Sequence, residues 1–284
     1  MAHPVFANPG SIPKIIINNN KYDTIAFMQV EKLLYLSPIE RELRFSSWTK
    51  RNNIDQILFD FDDTICATGN IFREHKNQVS NHILANNPFI NPKQFEIDFT
   101  QADNDSFETN AVNPNRFDLM SDTLCDKYNL NQETRQTIKD IFQDIYQTPI
   151  PFLDGAEDTL KFLKKIEFPI GIVTHGNSHW TYQKYQWLDL QRFLNWDDVF
   201  VVDQNNHKTS KSWSEAIKYF CRQPQNCLVA GDSPRSDINP ACEIGVRHCF
   251  LVEKQPVWAV HQQPVNPTVR SIKNISEIIQ FGCQ

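Results

Sequence analysis

Three carboxylates fall within four positions, Asp60, Asp62 and Asp63, directly after the apolar run "QILF" (56–59). Like charges this close repel, so the cluster implies either a cation or a division of roles among the three. Farther along, "GIVTHGN" (171–177) places Thr174, His175 and Gly176 after a second apolar run. "NHKTSKS" (206–212) supplies Lys208 and Lys211, and "GDSPRSD" (231–237) supplies Asp232 and Asp237. Carboxylates serve as nucleophile, proton carrier or ligand of a hard divalent ion. A hydroxyl and a lysine suit an anionic group.

These residues are useful only if the fold brings them together. Each group follows a short β-rich run: "QILFD" (56–60), "PIGIVT" (169–174), "VFVV" (199–202) and "CLVAGD" (227–232), with "HCFLV" (248–252) beyond. Between the runs lie helical patterns. "AEDTLKFLKKI" spaces Ala156, Leu160 and Leu163 along one face, and "SEAIKYF" and "SDINPACEIG" also read as helices, the second stopping at Gly245. Strand and helix in alternation predict an α/β fold, a Rossmann-like doubly wound parallel sheet. In such a sheet ligands bind at the carboxyl ends of the strands, which is where all four groups fall.

The interval between the first two runs is too long for a simple crossover. Residues 68–150 are expected to form an inserted all-helical cap domain, with helices in "NIFREHKNQVSNHILAN", "RFDLMSDTLCDKY" and "NQETRQTIKDIFQDIYQ" and a polar connection "NDSFETNAVNPN". The predicted organisation is an N-terminal extension (1–52), a Rossmann-like core (53–67 and 151–284) and the cap. In the extension, "TIAFMQVEKLLYL" has a helical pattern. Ser37, Pro38 and Glu40 form a capping box that starts a second helix.

The four motifs, in this order and each after a strand, resemble the haloacid dehalogenase superfamily. "DFDDT" (60–64) matches its D-x-D-x-T motif, "GIVTHGN" its second, a lysine before a helix its third, and "GDSPRSD" its fourth. The resemblance spans about residues 54–284 and implies the subgroup with a helical cap after the first strand. It further implies Mg²⁺ as cofactor, held by Asp60, Asp62 (through its carbonyl), Asp232 and Asp237. By the same resemblance Asp60 is the nucleophile of an aspartyl-phosphate, Asp62 the acid and base, and Thr174 a phosphoryl ligand beside His175 and Gly176. The motif lysine is read as Lys211, just before the Ser212–Glu215 box, with Lys208 as the alternative. Asp62 favours phosphate-ester chemistry over dehalogenation, because an alkoxide leaving group needs a proton. The implied function is a phosphatase acting on a small phosphorylated metabolite. A phosphomutase or other phosphotransferase, and a non-catalytic binding member, stay open as alternatives.

Plainer readings cover other features. Asp63 reads as a helix-start carboxylate and Cys66 as core. His175 and His179 are four apart, but Gly176 stands where a zinc-protease helix has glutamate. "DNDSFET" (103–109) lacks the glycine of a calcium loop. Arg73, Arg116 and Arg235 could reach substrate from the cap or the fourth-motif loop, with solvated surface as the plainer reading of each. The net charge of −6 argues against a nucleic-acid backbone as partner, no apolar run is long enough for a membrane, and no motif speaks to oligomeric state. Seven cysteines without a C-x-x-C pair suggest reduced thiols. Cytoplasmic is the default compartment, and a protein exported without a signal peptide has the same pattern.

Overall fold

The computed structural model describes residues 36–253, 263 and 265–284. Among these, six strands form one parallel sheet: β1 (Gln56–Phe59), β2 (Ile170–Gly176), β3 (Val199–Asp203), β4 (Cys227–Gly231), β5 (His248–Val252) and β6 (Arg270–Ile272). Their order is β3-β2-β1-β4-β5-β6, every neighbouring pair parallel. The chain adds strands on one side of β1 and then crosses to the other, so β1 lies at the switch point where such sheets leave a crevice. The helical pattern in residues 24–36 falls, except for its last residue, outside the described residues.

Alternation of side chains across the sheet explains the two layers of helices. Ile57 and Phe59 of β1, with Leu228 and Ala230 of β4, join one apolar cluster; Leu58, Cys227 and Val229 join another on the opposite face. Strands buried on both faces read as unbroken apolar runs, which is how they are visible in the sequence. β6 has no such run; it has three residues, two of them exposed.

The helices are α1 (Pro38–Arg51), α2 (Thr68–Asn86), α3 (Pro92–Asn110), α4 (Arg116–Tyr128), α5 (Gln132–Asp144), α6 (Ala156–Lys165), α7 (Ser178–Trp187), α8 (Ser210–Tyr219), α9 (Asn239–Glu243) and α10 (Ser276–Cys283). None is long and apolar enough to cross a membrane. α1 opens with the expected Ser37–Glu40 box. It is no free extension: Phe45 is fully buried, edge-on to Phe162 and Phe168, and a Cβ on Gly282 would lie 2.5 Å from its ring. Arg44 also donates to the Cys283 carbonyl at 3.1 Å. Gly245 has the left-handed φ of 95° expected where α9 stops.

α2 to α5 all lie between β1 and β2. α3 corrects the expected polar connection, since residues 104–110 are its last turns, and the same helix removes the faint calcium loop at 103–109. Its buried face carries polar residues: Asp98 accepts from Tyr128 at 2.7 Å and pairs with Lys127 at 2.8 Å, and Asp103 pairs with Lys76. The inserted helices meet the sheet domain over the carboxyl ends of the strands. Arg235 forms a two-pronged pair with Glu108, Asn113 reaches Asn205 at 2.6 Å, and Tyr146 lies edge-on to Trp180 at 4.8 Å.

Candidate active site

Asp60 follows β1 and is held by the sheet itself, its N–H donating to the Ala230 carbonyl of β4 at 2.8 Å. The residue is 7% exposed. Lys208, in the loop after β3, crosses to it and donates to Asp60 Oδ1 (2.7 Å), Asp237 Oδ1 (2.6 Å) and the Val173 carbonyl (2.6 Å). All three ammonium protons therefore have acceptors, with Trp213 beneath the Nζ at 4.8 Å. Asp237 lies on a single π-helical turn (Pro234–Ile238) after β4 and takes the Ser233 N–H at 3.0 Å on its other oxygen.

Carboxylate oxygens of Asp60, Asp232 and Asp237 lie within 4.8 Å of one another. Burial is the main reason that Asp60 is pushed up to about 7 from 3.8; Asp237 adds to the rise, and Lys208 opposes it. Burial alone would lower Lys208, but Asp237 and then Asp60 outweigh it and raise the ammonium. Lys208 donates to two of the three carboxylates, and a hard divalent cation fits this all-oxygen donor set.

Asp62 is placed differently. Its two oxygens accept from Lys184 of α7 at 2.5 and 2.8 Å, and the Thr68 hydroxyl also donates to Oδ1. Lys184 is 1% exposed and lies against Trp180 (4.2 Å) and Phe61 (4.9 Å). Asp62's side chain is therefore outside the three-carboxylate cluster. Asp63 has φ 60° and accepts from the Gly69 N–H at 2.9 Å, supplying the first turn of α2 with the cap that Ala67 lacks. Only glycine fits at 69, because a Cβ there would lie 2.3 Å from the Asp63 carboxylate.

The model of the haloacid dehalogenase-like hydrolases matches residues 57–251. The chain belongs to this family. It is 27% identical over 199 residues to a glyceraldehyde 3-phosphate phosphatase of Pyrococcus furiosus, covering 68% of this chain and 79% of that one. A Pyrococcus abyssi protein of the same name is 26% identical over 200 residues, with the same coverage. In fold it resembles a haloacid dehalogenase-like hydrolase of Xanthomonas campestris (TM-score 0.63, 16% identity, 80% of this chain and 89% of that one). It also resembles a hydrolase of the family from Bacillus subtilis, solved bound to magnesium (TM-score 0.55, 16% identity, 80% and 98%).

Within this hydrolase the lysine reading needs correction. The Lys211 side chain is 85% exposed and pairs with Glu215 at 3.9 Å. α8 begins a turn earlier than expected, with Thr209 and Ser212 as its capping box, so Lys211 is already inside the helix and points outward. Lys208, in the loop before the helix, is the lysine that reaches Asp60. β2 also runs two residues beyond its expected end, because His175 and Gly176 pair with Val202 and Asp203. Thr174 is consequently fully buried, and its hydroxyl has no hydrogen-bond partner among the described residues. His175, Gly176 and Asn177, rather than Thr174, line the cavity above Asp60.

That cavity measures about 100 Å³ and is walled by side chains of the insertion, including Phe72, Phe107 and Tyr146, and by Trp180 of α7. Two charged residues near it are buried; the sequence reads Arg116 chiefly as surface and does not single out Lys184. Arg116 is 3% exposed. It had a signal in the sequence: Arg116, Met120 and Leu124 are spaced four apart on the buried face of α4. Lys184 had the same signal, four residues after Trp180. Cys66 is core, as expected, and burial pushes its thiol well up.

Proposed function

We propose that this hydrolase is a Mg²⁺-dependent phosphatase that cleaves a small phosphomonoester through an aspartyl-phosphate on Asp60. The observation that carries the reading is Asp60 itself, a buried carboxylate at the floor of a small cavity, oriented by Lys208 and adjoined by Asp232 and Asp237. The naming of both Pyrococcus relatives supports a phosphorylated metabolite as substrate. In this reading α2 to α5 (68–150) act as the cap that closes over the substrate and keeps water out.

The residues divide the work. Asp60 Oδ2, the oxygen away from Lys208, attacks phosphorus, and the leaving alkoxide takes a proton from Asp62. In the second half Asp62, now ionised, accepts a proton from the attacking water, and Asp60 is released with inorganic phosphate. Lys208 holds Asp60 Oδ1 and balances charge on the phosphoryl oxygens. Asp60, Asp232, Asp237 and the Asp62 carbonyl would hold Mg²⁺, which when bound supplies positive charge to the phosphoryl group and the carboxylates. A panel of phosphorylated metabolites with p-nitrophenyl phosphate, assayed for phosphate release in Mg²⁺, tests the reading. Release requiring no bisphosphate activator supports a phosphatase; no release from any member rejects it.

Two expected outcomes follow from the geometry. The raised Asp60 carboxylate favours the folded state most when protonated: that contribution is full below about 3.8 and lost as pH rises through about 7. Protons and Mg²⁺ compete for the same oxygens, so Mg²⁺ should raise Tm more at pH 8 than at pH 5.5. Differential scanning fluorimetry measures this, and a shift equal at both values rejects the metal assignment.

Lys184 is expected to act through Asp62. Lys184→Met should lower kcat by roughly 10–100-fold, the cost of a misplaced proton carrier. In the double variant with Asp62→Asn the two losses should not add, since the lysine has no target once the acid is gone. Additive losses would mean that Lys184 works elsewhere.

A further inference from the structure

Trp180 of α7 carries a donor that the protein leaves unused. The residue is 8% exposed and lines the cavity with Asp60 and Asp62. Its Nε1–H is buried and has no hydrogen-bond partner among the described residues. An indole N–H only donates, so burial without an acceptor has a cost that no change of tautomer relieves. Buried indoles normally find an acceptor. This chain follows that rule elsewhere: Trp213, fully buried, donates to the Ser236 carbonyl at 2.8 Å. The Trp180 ring is also fixed in place. Its backbone N–H donates to the cap oxygen Asn177 Oδ1 at 3.0 Å, and the ring meets Tyr146 edge-on at 4.8 Å and Phe72 at 6.0 Å.

One ammonium locates the indole relative to the reacting groups. Lys184 Nζ lies 4.2 Å from the Trp180 ring centroid and 2.5 Å from Asp62 Oδ1. Asp62 is thus beside the indole, but both its oxygens already accept from Lys184. Tyr146 offers no anion either, because burial pushes its phenol up to about 12 and keeps it protonated. In the proposed reaction Asp62 protonates the ester oxygen, so the carbons attached to that oxygen lie along Trp180. We propose that Trp180 Nε1–H donates to a hydroxyl or carbonyl oxygen of the substrate's leaving group, a few bonds from the ester oxygen. The preferred substrates are then short hydroxyalkyl or oxoalkyl phosphates. Plain alkyl phosphates of the same length are poor, because enclosing them leaves the indole N–H unpaired. This inference rests on the reading of Asp60 as phosphoryl acceptor and Asp62 as proton carrier.

The test uses the full chain with Mg²⁺ and compares propyl phosphate with 2-hydroxypropyl, 3-hydroxypropyl and hydroxyacetone phosphates. At least one oxygenated member should exceed propyl phosphate in kcat/KM by about 10–100-fold. Trp180→Phe keeps an aromatic ring against Lys184 but has no N–H, and it should cut that ratio by about tenfold. The intrinsic reactivity of each ester is the same in both proteins, and a merely structural loss lowers all members alike, so the change in ratio reads the hydrogen bond. A second measurement needs no turnover. In the ¹⁵N–¹H spectrum the Trp180 indole signal, assigned by its loss in Trp180→Phe, should move downfield with 3-hydroxy-, 4-hydroxy- or 3-oxobutylphosphonate and not with butylphosphonate. Hydrolysis with no preference, a preference that Trp180→Phe leaves intact, or an indole signal that none of the oxygenated phosphonates moves overturns the inference. The downfield shift in a protein that hydrolyses nothing supports the donor site and instead rejects the phosphatase reading.

Discussion

Asp60→Asn should abolish turnover, by at least ~10⁴-fold, in a protein that still folds. An amide cannot form the acyl-phosphate, and none of the other carboxylates can replace it. Asp62 is held by Lys184, and Asp237 is committed to Lys208 and the Ser233 N–H. Stability should move in the opposite direction. Without a cation, ionised Asp60 bears the cost of burial and of Asp237 nearby, which is why its carboxyl is raised to about 7. The substituted amide has no such cost, and its oxygen can still accept from Lys208. At pH 8 and without metal, Asp60→Asn should melt at or above the wild-type Tm, and the gain should fade toward pH 5, where wild-type Asp60 is protonated. It should also lose most of the Mg²⁺-dependent rise. Activity above about 1% of wild type would end the nucleophile assignment. A large fall in Tm would mean that the carboxylate is structural.

Residues that carry the reading were visible wherever a local rule controls them. Asp60, Asp232 and Asp237 sit at or just after buried parallel strands, and such strands announce themselves as apolar runs. The carboxyl-edge rule then brings the three together without knowledge of any contact. Local rules failed where two of them competed. Thr209–Ser212 and Ser212–Glu215 both fit a helix start, and only the packing of α8, with Trp213 and Ala216 buried, selects the first. That one-turn difference sends Lys211 to solvent and Lys208 to the site. Patterning failed where buried faces carry charge: Asp98 and Asp103 hid α3, Arg116 read more readily as surface than as a substrate contact, and Lys184 drew no reading. Each has partners from another element, and a single sequence does not display those. A functional site is where buried charge concentrates, so the polarity pattern is least informative at that site.

Replacing Lys208 therefore gives a second large expected effect, and it separates the two lysines. Lys208→Met removes the ammonium shared by Asp60 and Asp237, leaving two buried carboxylates without their cation. Breaking such a pair costs about 3–5 kcal/mol, mostly from the charges left behind. Since Lys208 opposes the rise in Asp60, its loss should raise that carboxyl further. The sign for stability follows: the deficit should be greatest at pH 8 without metal and smaller at pH 5.5, where Asp60 carries its proton. Mg²⁺ should restore part of Tm by returning positive charge to the carboxylates. It should not restore catalysis, because Asp60 loses the hydrogen bond that orients it. The rate should fall at least ~10³-fold even with saturating Mg²⁺. Lys211→Met, at a side chain 85% exposed, should stay within about 0.5 kcal/mol of wild type with nearly unchanged kcat/KM. Urea unfolding at the two pH values and steady-state kinetics on both variants decide the matter. Equal effects of the two substitutions, or a Lys208→Met deficit that grows toward low pH, would mean that Lys208 does not neutralise Asp60.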